Sequence, residues 1–121
     1  MRDYAEILCN GFVLVHEYKN VTKVDFHCYM TPGIMDYGEI EALNRDGIDF
    51  LFSGKINEAY KCFCEAINNR NNFAPAINNC GVISFINKDY KKAKSYFEQA
   101  YEIIPNQSIV EENFSYVCSM F

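Results

Sequence analysis

The chain has 121 residues, a formal net charge of −5, half of its residues apolar and 16% aromatic. That length fits one domain or one small repeat array, and the apolar content supports a packed core rather than a disordered chain. The acidic balance argues against a nucleic-acid partner, whose phosphate backbone demands a basic surface.

The chain opens with MRDYAEILCNGFVLVHEYK. Its apolar stretch is short, Asp3 and Glu6 sit where a leader would be basic, and no small-residue cleavage site follows. The expectation is no signal peptide. No stretch approaches the roughly 18 apolar residues of a spanning helix, so no membrane partner is expected. Six cysteines (Cys9, Cys28, Cys62, Cys64, Cys80, Cys118) show no disulfide-framework spacing. Reduced thiols and a cytoplasmic location are the expectation.

Residues 1–38 support two readings. Thr22, Val24, Phe26, Cys28 and Met30 alternate with Lys23, Asp25, His27 and Tyr29. FVLVHEY is β-branched and aromatic, and Lys19-Asn20 can turn the chain. Asn10-Gly11 and Thr31-Pro32-Gly33 bound the pair, which predicts a β-hairpin. The other reading is a degenerate helical pair, because Tyr4, Ile7, Leu8, Gly11, Leu14, Val15 and Tyr18 also fit a helical stripe. A lone hairpin is marginal in water, so it must pack on the helices or on another chain, or belong to a larger domain.

Residues 39–121 read as helices. Leu43, Gly47 and Phe50, then Ala59, Phe63, Ala66 and Ile67, recur at helical spacing over 40–53 and 56–70. Ser53-Gly54 breaks the first helix, where glycine accepts left-handed dihedrals. Asn69 to Asn72 break the second. Ala74-Pro75 open the third, where proline loses no hydrogen bond. Asn87–Asp89 separate the third from the fourth, Pro105 closes the fourth, and a last helix starts at Ser108. Shifted by 34 residues, the chain lies on itself: Gly47 on Gly81, Ala59 on Ala93, Phe63 on Phe97, and Ala66 on Ala100. Small residues recur where helices must approach and large ones where they must fill the gap, so all four alanines are expected to be buried.

This pattern resembles the tetratricopeptide repeat, carried by Leu43, Gly47, Phe50, Gly54, Ala59, Phe63 and Ala66 in one unit. In the next unit the matching residues are Ile77, Gly81, Ala93, Phe97, Ala100 and Pro105. Asn71 stands where the family places a closing proline, and Lys88 where Gly54 stands one unit earlier. The resemblance implies a mostly α, antiparallel helix-pair array: units at about 40–73 and 74–107, and a terminal helix over 108–121. It further implies a concave groove lined by the first helix of each unit. Carried over in register, that face includes Glu41, Asn44, Arg45, Ile48 and Phe52, then Asn78, Asn79, Val82 and Ile86, then Glu112, Asn113 and Tyr116. Asn44, Arg45, Ile48, Asn78, Asn79, Val82, Asn113 and Tyr116 form the candidate partner-binding set. An asparagine side chain carries donors and an acceptor, so a row of them can read an extended peptide backbone. Some members clamp a carboxylate terminus with Lys and Arg. Here Asn79 is kept, but Asn44, Ile48, Ile109 and Asn113 stand where the other clamp residues are expected, and Arg45 is the only cation placed there, which argues against such a clamp.

The chemical alternatives are weaker. Cys9, His16, His27 and Cys28 supply metal-ligating atoms but match no zinc spacing. Cys62 and Cys64 are two apart on a helix and do not face each other. Cys80, next to Gly81, reads as a small core residue. Two histidines, both before residue 38, make no triad with an activated nucleophile, and Gly11, Gly33 and Gly38 form no phosphate loop. Glu39 with Glu41 and Glu111 with Glu112 sit near helix starts, where they favour the helix dipole. Lys88, Lys91, Lys92 and Lys94 read as a solvated face. The expectation is a non-enzymatic protein–protein interaction scaffold without cofactor or metal, binding a peptide or protein partner. A self-associating structural subunit and a metal- or thiol-dependent activity in residues 9–28 are the alternatives. The last helix is apolar nearly all round, and a terminal repeat helix needs a polar outer face. Phe114, Val117, Met120 and Phe121 are therefore the candidate self-association residues, giving a homodimer.

Overall fold

The computed structural model describes residues 11–13 and 37–121. Five helices follow in order: α1 (Tyr37–Phe52), α2 (Ile56–Asn69), α3 (Ala74–Ile86), α4 (Tyr90–Ile103) and α5 (Ser108–Cys118). Each packs on the next, so α1/α2 and α3/α4 are helical hairpins stacked in sequence, with α5 laid on α4. No strand occurs among the described residues. This is the helix-pair repeat array, an α-solenoid built on the 34-residue offset.

The packing repeats with the sequence. Ala59, Ala66, Ala93 and Ala100 are all fully buried. Gly47 lies under the Phe63 ring so closely that a Cβ would stand 2.4 Å from Cε1. Gly81 repeats this under Phe97, at 2.6 Å. Each unit thus inserts one aromatic knob against one bare backbone, and Phe63 and Phe97 are both 0% exposed. The turns repeat too. Gly54 and Lys88, 34 residues apart, both take a left-handed backbone (φ 80° and 62°).

α3 departs from the amphipathic pattern that a helix on a surface shows. Every residue from Ala74 to Ile86 except Pro75 is buried, including Asn78 and Asn79. Neighbouring helices account for two of its sides. The groove side is covered by residues 11–13: Gly11, Phe12 and Val13 are all buried, and Val13 joins the main core with Ile48 and Val82. Apart from these three residues and from Tyr37 and Gly38, which open α1, both readings of residues 1–38, hairpin and helical pair, lie outside the described residues. At 11–13 themselves the backbone is neither strand nor helix.

Candidate functional site: an asparagine ladder on a backbone segment

The site is built by the repeat. Asn44 of α1 and Asn78 of α3 are equivalent positions one unit apart, and so are Asn79 of α3 and Asn113 of α5. The side chains pair diagonally across units. Asn79 Nδ2 donates to Asn44 Oδ1 at 3.0 Å, and Asn113 Nδ2 donates to Asn78 Oδ1 at 2.9 Å. Asn78 Nδ2 donates to Asn79 Oδ1 at 3.1 Å, joining the two pairs into one ladder. All four are buried.

Three backbone groups of one short segment complete this ladder. The Gly11 carbonyl accepts from Asn44 Nδ2 (2.9 Å) and Asn79 Nδ2 (3.0 Å). The Val13 N–H donates to Asn79 Oδ1 at 2.8 Å. The Val13 carbonyl accepts from Asn78 Nδ2 (3.0 Å) and Asn113 Nδ2 (2.8 Å). The Asn79 amide therefore spans a carbonyl and the N–H two residues on, as a neighbouring strand would. Both protons on each of the Asn78, Asn79 and Asn113 side-chain nitrogens are used. Complete satisfaction matters here, because a buried amide group without a partner costs on the order of 1–3 kcal/mol.

Side chains fix the segment sideways. Phe12 is 4% exposed and sits in an apolar cluster with Ala74, Ile77, Ala100, Ile109 and Val110. Gly11 has φ 76°, and a Cβ there would stand 3.0 Å from Asn44 Nδ2 and 3.6 Å from the Pro75 side chain. Both the dihedral and the close approach require glycine.

The structure brings six of the eight candidate binding residues together: Asn44, Asn78, Asn79 and Asn113 on the segment's backbone, with Ile48 and Val82 in the core that receives Val13. Tyr116 is half-buried, its ring 5.8 Å from that of Phe85. Arg45 is exposed, although it holds the repeat position of Asn79 and Asn113. Sequence reasoning missed the occupant. Asn10-Gly11 reads as the boundary of a hairpin, and the β-branched, aromatic run that follows reads as a strand.

At the far end, Val117 requires a correction. It is fully buried in the main core, because it points back onto the array, so it is not a surface residue. Phe114 is half-buried, with its ring 5.8 Å from Tyr101. Met120 and Phe121 are 44% and 62% exposed, and Lys94 Nζ lies 5.2 Å over the Phe121 ring.

No group of three metal-ligating side chains occurs among the described residues. Cys9, His16, His27 and Cys28 lie outside them. Burial, then the nearby carboxylates of Asp46, Glu65 and Glu58, push the Cys62 thiol up to about 11. Burial, followed by the neighbouring Cys64, raises the Tyr60 hydroxyl well above its ordinary range. Among the described residues, no helix is long and apolar enough to cross a membrane.

The fold is a helix-pair repeat array. Residues 74–107, the unit formed by α3 and α4, match the family model described as tetratricopeptide repeat, so the chain carries this repeat. The chain is also similar to mouse acyl-coenzyme A thioesterase 11, 34% identical over 77 residues. That match covers 60% of this chain and 11% of the mouse protein. No solved structure matches the chain.

Proposed function

We propose that the protein is a protein–protein interaction module whose groove holds a peptide segment by its backbone, through Asn44, Asn78, Asn79 and Asn113. The observation that carries this reading is the convergence of four buried asparagines on three backbone groups of residues 11–13. The groove recognises peptide groups as such, and flanking apolar clusters take the side chains. This is recognition by main-chain hydrogen bonds with pockets for alternate side chains. Residues 39–121 form the receptor and 1–38 a separate N-terminal segment. The reading is non-enzymatic and cytoplasmic, with no nucleic-acid or membrane partner. Thioesterase activity is not transferred, since the similarity reaches only 11% of the mouse protein.

Display of random peptides on the full chain tests this. Enriched peptides should lose affinity for Asn79→Ala and Val82→Asp proteins that keep their helical circular dichroism. Undiminished affinity in both would move the site off the groove.

The exposed Met120 and Phe121 favour a second reading, self-association into a homodimer through α5, since exposed aromatic and apolar side chains together mark partner surfaces. Phe114 flanks the patch, and a two-fold contact would place the same residues on both sides. Light scattering should then show a dimer that Phe121→Glu dissociates; a monomer on the order of 100 μM, far above the Kd range of stable complexes, would exclude it.

A further inference from the structure

We propose that the groove is selective for a partner protein's segment of the form glycine–aromatic–β-branched aliphatic, and that residues 11–13 are an internal copy of that ligand which the partner must displace. The proposal rests on the reading of the groove as a peptide site. It goes further in naming the ligand's chemistry and in making the site self-occupied.

Three features of the occupied groove specify the ligand. Every polar contact to the segment goes to its backbone, at the Gly11 carbonyl and the Val13 N–H and carbonyl. A segment from another chain presents the same groups, so the ladder accepts either. The first position is closed to a side chain by the left-handed φ of 76° and by Asn44 and Pro75. The second position is a ring-sized apolar site: Phe12 sits among Ala74, Ile77, Ala100, Ile109 and Val110. The third takes a β-branched aliphatic side chain into a space where Val13 is fully buried with Ile48 and Val82. An apolar ligand without peptide groups would leave the asparagine nitrogens unpaired in a buried site, which excludes lipids and similar small molecules as occupants.

Displacement follows from the form of the attachment. The segment joins the array through residues 14–36 alone in sequence, and its hold on the groove uses bonds an identical segment would remake. Exchange therefore preserves the number of hydrogen bonds and the buried apolar side chains. What the internal copy adds is tethering, equivalent to an effective concentration on the order of mM. An incoming ligand sees its affinity reduced by the fraction of chains whose groove is open.

A fluorescein-labelled peptide with the sequence of residues 8–16, LCNGFVLVH, tests both parts in the full-length protein. Binding should be weak to the wild type and at least about tenfold tighter to Phe12→Ser, which weakens the internal copy and raises the open fraction. The same peptide carrying valine in place of its glycine should not bind either protein. Should Phe12→Ser fail to fold, hydrogen exchange on the wild type decides. Excess peptide should deprotect the Val13 N–H of the protein while the Ile83 N–H in α3 stays protected. A concentration-dependent dimer that exchanges the segment reciprocally, abolished by Phe12→Ser, also supports the proposal, with a second copy as partner. Val13 protection that excess peptide leaves unchanged, with no gain in binding by a folded Phe12→Ser protein, overturns it. Groove ligands from display that lack the glycine–aromatic pattern and leave Val13 protected would also overturn it, while leaving the interaction module standing.

Discussion

Asn79 carries the largest share of the ladder. Its amide donates to Gly11 and Asn44 and accepts from Val13 and Asn78. Asn79→Ala leaves a buried N–H on Val13 and deprives two carbonyl oxygens of a donor. The expected cost is about 1–3 kcal/mol of folding stability, measured by chemical denaturation. Arg45, at the equivalent position one unit earlier, makes a useful control: Arg45→Ala on the exposed surface should change stability by less than about 0.5 kcal/mol. Cys62 gives a pH signature. Its thiol is held up to about 11 in the folded chain against an ordinary value of 9.0. The folded state therefore keeps a proton that the unfolded state releases between these values. Stability should be unaffected by this group below pH 9 and fall from pH 9 to 11. In Cys62→Ser that fall should be shallower, which denaturation curves across the alkaline range would show.

The elements were the most legible part of the sequence. The breaks between helices, the four buried alanines and the aromatic knobs follow from the 34-residue offset, because a packing contact that recurs needs the same residue sizes at the same spacing; the outer ends do not, since α1 starts at Tyr37 rather than at 40 and α5 ends at Cys118 rather than at 121. Gly81→Ala brings a Cβ within 2.6 Å of the Phe97 ring, and overpacking of this kind should cost on the order of 1–3 kcal/mol. An unchanged melting temperature would contradict the knob-and-backbone contact. The two units also differ in informative ways. Lys88 adopts the left-handed conformation that Gly54 holds without strain, so Lys88→Gly should stabilise by roughly 0.5–1 kcal/mol in thermal melts, the relieved strain being partly offset by glycine's entropy. Helix α4 is capped by Asp89, whose carboxylate accepts from the Lys92 N–H at 3.2 Å. Helix α2, which starts at Ile56, is preceded by Lys55, whose side chain provides no cap. Residues 11–13 were illegible for the opposite reason. A three-residue backbone segment held by side chains needs no period, so neither a helical nor a strand pattern records it. What the sequence did record was the ladder, since its asparagines recur with the repeat.

For the molecule as a whole, the groove and the array are one structure. Burial of nearly all of α3, which no two-hairpin stack explains alone, follows once residues 11–13 close its third side. Val117 illustrates the limit of judging a terminal helix from composition. Apolar residues surround α5, but the array covers Val117 and leaves Met120 and Phe121 outside. The central claim is that the asparagine ladder holds the Gly11–Val13 backbone in the groove. Hydrogen exchange at the Val13 amide, which donates to Asn79 Oδ1 at 2.8 Å, tests it most directly. The account predicts strong protection in the wild type and its loss in Asn79→Ala, with the α3 amides still protected in both. A Val13 N–H that exchanges in the wild type as fast as in an unstructured peptide would contradict it.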